Sequence, residues 1–307
     1  MGPFLVLGGT GFIGRALTDV LRARGARVTT VARGATPEAR AAQDHYPLDA
    51  IEQFDSLRRL VLDLQPTAII NLIGGRSVQG HDAPLFAYRL VRFLAETRVG
   101  ARVVLVGSAA EYGLPASLPV QESHPLRPTT VYGFAKAVQS WTALNFYEAY
   151  GLPVFVARVF NAIGPGQGRE FFAGSVVAQA VEIAAGRQAV AEVGAVDAAR
   201  DFVDVRDVAR ALVHVLLRGR PGEAYNVCSG RPVPLREVLR EVGLLCGLRE
   251  DFYVVTAGRD ATSTPEIYGS NEKIKRDTGW APTIGMEDSL RAMIAAEVAR
   301  PRAAAQV

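Results

Sequence analysis

The chain has 307 residues, of which 49% are hydrophobic and 21% are charged, and its 34 basic and 31 acidic side chains give a formal net charge of +3. This composition, with charges of both signs spread along the chain, argues against a disordered chain, a fibre and a nucleic-acid surface, and it favours mild attraction for anionic metabolites. Two cysteines without histidines at zinc-binding spacing, and no run near the roughly 20 apolar residues of a membrane span, predict a soluble, cytoplasmic protein without a metal site.

Short apolar runs alternate with longer segments of helical period, which predicts βαβ units around a buried parallel sheet. The predicted strands are Phe4–Leu7, Arg27–Val31, Ala68–Leu72, Arg102–Val106 and Val154–Val159, with helices between them. One long helix is predicted over Thr129–Tyr150, because Pro128 precedes it and Gly151 can stop it. The predicted fold is therefore α/β, a Rossmann-type doubly wound parallel sheet with a smaller α/β C-terminal substrate-binding domain.

The character of the sequence changes after Gly164, where glycine-punctuated loops and shorter elements follow the regular alternation. We predict a cofactor domain over residues 1–163, to which residues 201–228 return, including a strand at Ala224–Val227. Residues 164–200 and 229–307 are then predicted to form the domain that binds the substrate.

A glycine-rich segment, GGTGFIG, follows the first predicted strand and opens a helix. Glycines allow a tight turn there and let backbone N–H groups approach a pyrophosphate at the positive end of the helix. This context predicts dinucleotide binding, where the segment alone would indicate only a turn. The predicted cofactor contacts are Gly8, Thr10, Gly11, Phe12, Ile13 and Gly14, together with Leu72 at the end of a later strand.

Arg33 follows the second predicted strand, where an NAD-specific protein usually carries an acid that binds the ribose hydroxyls. An arginine there suits a 2′-phosphate, so we expect NADP(H) as the preferred cofactor, with NAD(H) and a solvated surface arginine as the alternatives. Asp49 lies further along and is expected to accept from the adenine amino group, or else to cap a helix N-terminus.

The segments GSAAEYG and YGFAK carry the predicted catalytic residues. Tyr132 and Lys136 are four residues apart, so they share one face of a helix. A neighbouring cation and the nicotinamide ring favour tyrosinate and lower the phenol pKa, which lets Tyr132 exchange a proton with a sugar alcohol or ketone. Ser108, at the carboxyl end of its strand, can hydrogen-bond the same oxygen. A tyrosine and lysine at this spacing also occur on solvated helix faces, but here they accompany the glycine segment and a strand-end serine.

Seven segments together resemble the extended short-chain dehydrogenase/reductase family, specifically its nucleotide-sugar branch. They are GGTGFIG, GSAAEYG, YGFAK, RVFNAIGPGQ, RDFVDVRDVARAL, GEAYNVCSG and TGWAP, and they span nearly the full length. Several are closest in wording to GDP-4-keto-6-deoxy-mannose reductases. The resemblance implies a triad of Ser108, Tyr132 and Lys136 with hydride transfer at C4 of a hexose, and a homodimer formed through the helices Pro84–Thr97 and Thr129–Tyr150.

Three residues of the second half are predicted to bind the nucleotide-diphosphate sugar. Asn161 resembles the family asparagine that holds the sugar-phosphate region, and its amide can donate to phosphate oxygens. Arg200 and Arg259 are candidates for the diphosphate, because a guanidinium fork can bind two oxygens together. The alternatives are surface salt bridges, from Arg200 to Asp201 and from Arg259 to Asp260.

Two further features of this half are predicted to be structural. Asp204 and Asp207 are expected to tie their helix to the cofactor lobe, and Ser229 and Gly230 to form a turn.

The residues after Ser108 discriminate among reactions of the family. Dehydratases place a carboxylate pair, or a carboxylate with a serine, immediately after this position, whereas Ala109 and Ala110 offer only methyl groups. Glu111 follows and, by strand alternation, is expected to face away from that pocket. A reductase that consumes NADPH and an epimerase that keeps NAD(H) bound then remain, and Arg33 favours the reductase. A non-catalytic NADP-binding regulator is disfavoured because the tyrosine and lysine are both present.

Overall fold

The computed structural model describes residues 2–34, 44–74, 82–194, 196–256 and 265–300. Its strands are β1 (Phe4–Leu7), β2 (Val28–Ala32), β3 (His45–Pro47), β4 (Ala68–Asn71), β5 (Arg102–Ser108), β6 (Val154–Val159), β7 (Asn161–Ile163), β8 (Ala191–Val193), β9 (Ala199–Arg200), β10 (Phe202–Asp204), β11 (Ala224–Val227), β12 (Val233–Pro234), β13 (Tyr253–Val255) and β14 (Glu266–Ile267). Within the described residues, seven of them form one parallel sheet in the order β11-β6-β5-β4-β1-β2-β3. The strand order reverses between β1 and β4, and in open α/β sheets the crevice at such a reversal binds ligands.

The helices cover both faces of this sheet. They are α1 (Phe12–Ala23), α2 (Phe54–Leu64), α3 (Asp82–Thr97), α4 (Val131–Tyr150), α5 (Phe172–Ala184), α6 (Val205–Arg218), α7 (Leu235–Leu245), α8 (Glu272–Thr278) and α9 (Met286–Val298), and a 3-10 turn spans Ala109–Glu111. Among the helices described, none combines the length and apolar character that crossing a bilayer requires.

Strand β1 shows how the sheet divides its side chains between two layers. Phe4 and Val6 point into one hydrophobic cluster with α1 and α6, whereas Leu5 and Leu7 point into the other with α2, α3 and α4. All four are buried, and each buried side chain of this kind contributes about 1.5–3 kcal/mol relative to exposure. A strand buried on both faces needs a continuous apolar run. The short apolar runs between helical segments of the sequence therefore predict the strands of this sheet.

The predicted boundaries agree closely with the observed elements. The strands at Phe4–Leu7, Val154–Val159 and Ala224–Val227 are confirmed to the residue. Strand β5 runs two residues further than predicted, so it ends at Ser108. Helix α4 begins two residues later than predicted and ends before Gly151, which has a left-handed φ of 65°.

Residues after 163 form a smaller α/β part with its own hydrophobic cluster. Helices α5, α7 and α9 pack there around the paired strands β8 and β13. Strand β9 lies between β12 and β14, and β10 pairs with β7. Strand β11 instead lies beside β6, so residues 224–227 return to the central sheet.

Two buried carboxylates fasten α6 to the C-terminal segment. Asp204 accepts from the hydroxyl of Ser289 at 2.7 Å, and Asp207 accepts from the backbone N–H groups of Thr283 and Ile284 at 2.9 and 2.8 Å. The prediction that these two carboxylates tie the helix to the cofactor lobe is therefore wrong. Their partners lie about 75 to 85 residues further along the chain, where local sequence carries no signal for the pairing.

We expect Asp207→Ala to lower the free energy of unfolding by about 2–4 kcal/mol, because the N–H groups of Thr283 and Ile284 lose a buried, charged acceptor. Asp197→Ala is the control, since its side chain is 81% exposed and pairs with Arg236 at the surface, and we expect it to cost less than about 1 kcal/mol. Chemical denaturation measures both values. Equal effects of the two substitutions would show that Asp207 does not anchor the C-terminal segment.

Candidate active site

The glycine segment forms a tight cradle between β1 and α1. Gly8 has a φ of +84°, and a Cβ at Gly14 would lie 2.2 Å from the carbonyl oxygen of Gly8, so no side chain fits there. Helix α1 begins at Phe12, and its N-cap, Gly11, supplies no side-chain cap to the helix N-terminus. A Cβ at Gly8 would lie 3.3 Å from the Cβ of Leu72, which places Leu72 beside the cradle.

This cradle has the shape and polarity that a pyrophosphate requires. It lies at the carboxyl ends of β1 and β4, where the strand order reverses. The helix N-terminus directs its positive end there, and the glycines leave room for phosphate oxygens. Thr10 lies in this turn and Ile13 in the first turn of α1. The structure therefore brings all the predicted contacts of this segment to one place.

Arg33 and Asp49 meet at the carboxyl ends of β2 and β3. The Nε of Arg33 lies 4.0 Å from Oδ2 of Asp49, and the arginine side chain is 66% exposed. The other oxygen of Asp49 accepts from the backbone N–H groups of Ile51 and Glu52 at 3.0 and 3.2 Å. Asp49 therefore caps the turn that precedes α2, and it also presents an anionic partner to Arg33.

Lys136 is a buried cation on α4. Its Nζ donates to the carbonyl of Val106 on β5 at 2.8 Å and lies 3.4 Å from Oε1 of Gln139. Burial lowers the pKa of Lys136 from its ordinary value of 10.5 to about 8, and the nearby carboxylate of Glu111 opposes that shift. A Cβ at Gly74, which has a φ of +111°, would lie 3.2 Å from this Nζ, so the glycine leaves space for the ammonium.

Tyr132 lies one helical turn before Lys136 and is half-buried. The next residue, Gly133, allows a close approach, because a Cβ there would lie 2.4 Å from the carbonyl oxygen of Ala110. The turn that follows Ser108 therefore packs directly on the first turn of α4. The structure brings the strand end that carries Ser108 against the helix that carries Tyr132 and Lys136.

The partners of Glu111 are the main feature of the site that the sequence did not reveal. It lies in a 3-10 turn, so strand alternation does not set its direction, and its side chain is fully buried. Oε1 accepts from the backbone N–H of Ser108 at 2.8 Å, and Oε2 accepts from Ser140 Oγ at 2.7 Å and from Arg158 Nε at 2.9 Å. Burial raises the pKa of Glu111, and the charge of Arg158 opposes that shift.

Arg158 extends this buried polar network towards β11. Its Nη1 donates to the Tyr112 hydroxyl at 3.0 Å, and that hydroxyl donates to Oδ1 of Asn226 at 2.7 Å. Burial raises the pKa of Tyr112 well above its ordinary value, against the effect of Arg158. A signal for the network exists in the sequence, because an arginine inside the otherwise apolar run VFVARV requires a buried partner.

Two of the predicted substrate residues lie on short strands, Asn161 at the start of β7 and Arg200 at the end of β9. Asn161 is exposed and its amide donates to the carbonyl of Asp201 at 3.0 Å, while Nη1 of Arg200 donates to the carbonyl of Ala199 at 2.8 Å. The carboxylate of Asp201 accepts from the backbone N–H and the hydroxyl of Ser229, both at 2.7 Å, and from the N–H of Gly230 at 3.0 Å.

Arg259 and Asp260, the remaining predicted pair, lie outside the described residues. Asn161 and Arg200 are neighbours in the fold, since β9 and β10 are consecutive and β10 pairs with β7.

Residues 4–228 match the model of the NAD dependent epimerase/dehydratase family. The chain belongs to this family. The matched region contains every strand of the central sheet together with the glycine cradle and the residues Ser108, Tyr132 and Lys136. The motif-based resemblance to the nucleotide-sugar branch of the extended short-chain dehydrogenases/reductases is confirmed, and the chain is an enzyme of the oxidoreductase type.

Individual relatives match over nearly the whole length. GDP-6-deoxy-D-mannose reductase of Pseudomonas aeruginosa is 31% identical over 301 residues, which cover 94% of this chain and 95% of that protein. The dTDP-6-deoxy-L-talose 4-dehydrogenase (NAD(P)(+)) of Kitasatospora kifunensis is 29% identical and covers 96% of each chain. The solved structure of RMD from Pseudomonas aeruginosa complexed with NADPH superposes with a TM-score of 0.82 at 27% identity, covering 97% of this chain and 99% of that one. GDP-mannose 4,6-dehydratases and UDP-glucose 4-epimerases also match.

We expect Lys136→Met to raise the free energy of unfolding at pH 7 by about 1–3 kcal/mol, because it removes a cation from a dry site. The folded lysine loses its proton near pH 8 and the unfolded one near 10.5, so the wild type gains stability with rising pH in that window. The difference in free energy of unfolding between the variant and the wild type should therefore narrow from about pH 8 to 10.5, as measured by chemical denaturation.

Lys275→Met, at an exposed position of α8, controls for the loss of one positive charge. If the difference in free energy of unfolding between Lys136→Met and the wild type stays constant with pH, burial does not lower the pKa of Lys136.

Proposed function

We propose that the protein reduces the C4 ketone of a nucleotide-linked 4-keto-6-deoxy-hexose with NADPH. The observation that carries this proposal is the composition of the strand end beside α4. Ser108, Tyr132 and Lys136 supply polar groups for proton transfer to a carbonyl, while Ala109 and Ala110 supply none for removing a C5 proton and expelling a C6 hydroxyl. The full-length similarity to GDP-6-deoxy-D-mannose reductase supports the same substrate class.

The buried ion pair strengthens the case against dehydration. Glu111 is the carboxylate nearest in sequence to the two alanines, and both of its oxygens are occupied by Ser108 N–H, Ser140 and Arg158. A carboxylate that is fully buried and bonded on both oxygens is not accessible to a substrate carbon. Glu111, the candidate acid–base group for dehydration, thus has a structural role.

In the proposed reaction Tyr132 protonates the C4 keto oxygen and Ser108 aligns the carbonyl by a hydrogen bond. The cation of Lys136 favours the tyrosinate that remains after proton transfer and would bind the nicotinamide ribose. NADPH, when bound, supplies the hydride. Burial of Lys136 strengthens its effect on the phenol, because water screens the charge less in the interior.

The cofactor would lie along the carboxyl edge of the sheet. The cradle of Gly8, Gly11 and Gly14 would hold the pyrophosphate, and Arg33 would bind the 2′-phosphate of NADP(H). Asp49 would then hold Arg33 in place or accept from the adenine amino group, since its Oδ2 already lies 4.0 Å from the arginine.

The substrate diphosphate would lie against the loops of the smaller part. Asn161 would donate to phosphate oxygens through its amide, and Arg200 and Arg259 would neutralise the diphosphate charge.

A nucleotide-sugar 4-epimerase that keeps NAD(H) bound is the second candidate. The same three residues serve that reaction, and the UDP-glucose 4-epimerase of Azospirillum brasilense is 28% identical over 303 residues. Exposed Arg33 favours the reductase, because a 2′-phosphate partner suits an exchangeable NADPH.

We also propose that the enzyme forms a homodimer through α3 and α4. Several large apolar side chains on these two helices are exposed, and exposed side chains of this size favour a partner surface. They are Leu85 and Tyr88 on α3, and Phe134, Trp141 and Tyr150 on α4, all more than 40% exposed.

A panel of 4-keto-6-deoxy sugar nucleotides tests the proposed reaction, with NADPH absorbance as the measurement. We expect stoichiometric NADPH oxidation, and we expect Tyr132→Phe to lower kcat by at least about 100-fold while NADPH affinity is retained, since only the proton donor is lost. Tyr147→Phe, on the same helix and half-buried like Tyr132, is the matched control. Interconversion of C4 epimers without net NADPH consumption would instead identify the epimerase, and full activity of Tyr132→Phe would refute the mechanism.

We expect Arg33→Ala to raise the Kd for NADPH about 10- to 100-fold and to leave the Kd for NADH unchanged, because a charge-assisted bond to the 2′-phosphate is lost. Arg24→Ala is the control for loss of one surface charge, because Arg24 lies at the C-terminal end of α1, away from the glycine cradle. Titration of cofactor fluorescence measures each Kd. Equal weakening of both cofactors would show that Arg33 does not recognise the phosphate.

A further inference from the structure

The carboxylate of Glu111 joins three elements at the base of the candidate active site. One oxygen bonds to the backbone N–H of Ser108 at the end of β5, and the other bonds to Ser140 on α4 and to Arg158 on β6. The side chains of Glu111 and Arg158 are 0% and 4% exposed. Water therefore does not compete for these bonds, and the connection is rigid.

Ser140 lies on the same face of α4 as the proposed proton donor. It follows Lys136 by four residues and Tyr132 by eight, and residues at this spacing line one side of a helix. The bond from Ser140 to Glu111 thus fixes the position of that side relative to the strand end. Gly107 makes room for the carboxylate, because a Cβ there would lie 2.3 Å from Oε1 of Glu111.

The same carboxylate influences the charge of the lysine. Glu111 acts on Lys136 in the direction that keeps the ammonium protonated, against the effect of burial. Arg158 on β6 donates to the carboxylate and also to the hydroxyl of Tyr112. The network therefore contributes to both the geometry and the charge of the site.

We propose that Glu111 is a positioning residue, which through Ser140 holds the α4 face bearing Tyr132 and Lys136 in register with Ser108. It acts through these groups and has no contact with substrate of its own. This inference rests on the proposed function for its kinetic readout. Glu111 itself neither donates nor accepts the proton that is transferred.

Ser140→Ala is the sharpest test, because substitution of Glu111 leaves the Arg158 cation uncompensated in the interior and endangers folding. Ser140→Ala keeps the ion pair and removes only the link to α4. We expect kcat to fall about 10- to 100-fold, as misplacement of reacting groups does, with the Kd for NADPH unchanged. Thr142→Ala is the control, since that hydroxyl donates to Val138 within the same helix at 2.8 Å, and its kcat should stay near that of the wild type.

A double-mutant cycle with Ser108→Ala separates positioning from general weakening. If Ser140 acts by aligning Ser108 with Tyr132, its removal costs little kcat once the Ser108 hydroxyl is absent. A full additional loss of kcat in the double variant, or a wild-type kcat in Ser140→Ala, would overturn the proposal.

A readout without substrate distinguishes this inference from the proposed function. The absorbance of tyrosinate, taken as the difference between each protein and its Tyr132→Phe counterpart, titrates the Tyr132 phenol, which shares its helix face with Lys136. The other charged groups of the network, Glu111 and Arg158, are bonded to each other. We expect the apparent pKa of Tyr132 to be higher in Ser140→Ala than in the wild type, because a hydroxyl donor to tyrosinate is displaced. An unchanged pKa would refute positioning by Glu111, whereas failure of every sugar nucleotide in the panel would refute only the proposed function.

Discussion

A carboxylate and a guanidinium lie together, buried from solvent, behind the end of strand β5, and the geometry of the candidate site depends on them. Moving two such ions from water into the interior costs several kcal/mol each, so the pair persists only where further hydrogen bonds stabilise it. Glu111 receives those bonds from Ser108 and Ser140, and Arg158 donates to Tyr112. The pair is thus the point at which β5, β6 and α4 are held together.

The position of α4 follows from this constraint and from two close backbone approaches. Gly133 lets the carbonyl of Ala110 reach the first turn of the helix, and Gly74 leaves space for the ammonium of Lys136. Lys136 can then cross to the carbonyl of Val106, although its burial is costly. Burial of this cation lowers stability, so packing alone does not explain a lysine at this position.

Reductases, dehydratases and epimerases all occur among the relatives of this chain. Ala109 and Ala110 place only methyl groups in the short turn after Ser108, which supports the proposed reduction over dehydration. Asp201 has a structural part, because its carboxylate binds the turn at Ser229 and Gly230.

The sequence by itself determined the features that depend on near neighbours. The buried parallel strands follow from apolar runs, the cradle from the spacing of glycines, and the common face of Tyr132 and Lys136 from the helical repeat. Only the tertiary structure decided which distant groups meet. Glu111 and Arg158 are 47 residues apart, and Asp207 finds its partners at Thr283 and Ile284, because sheet order and helix packing bring these segments together. A buried charge pairs with whichever opposite charge the fold brings close to it. A charged residue within an apolar run of the sequence shows that a partner is required, but it does not show where that partner lies.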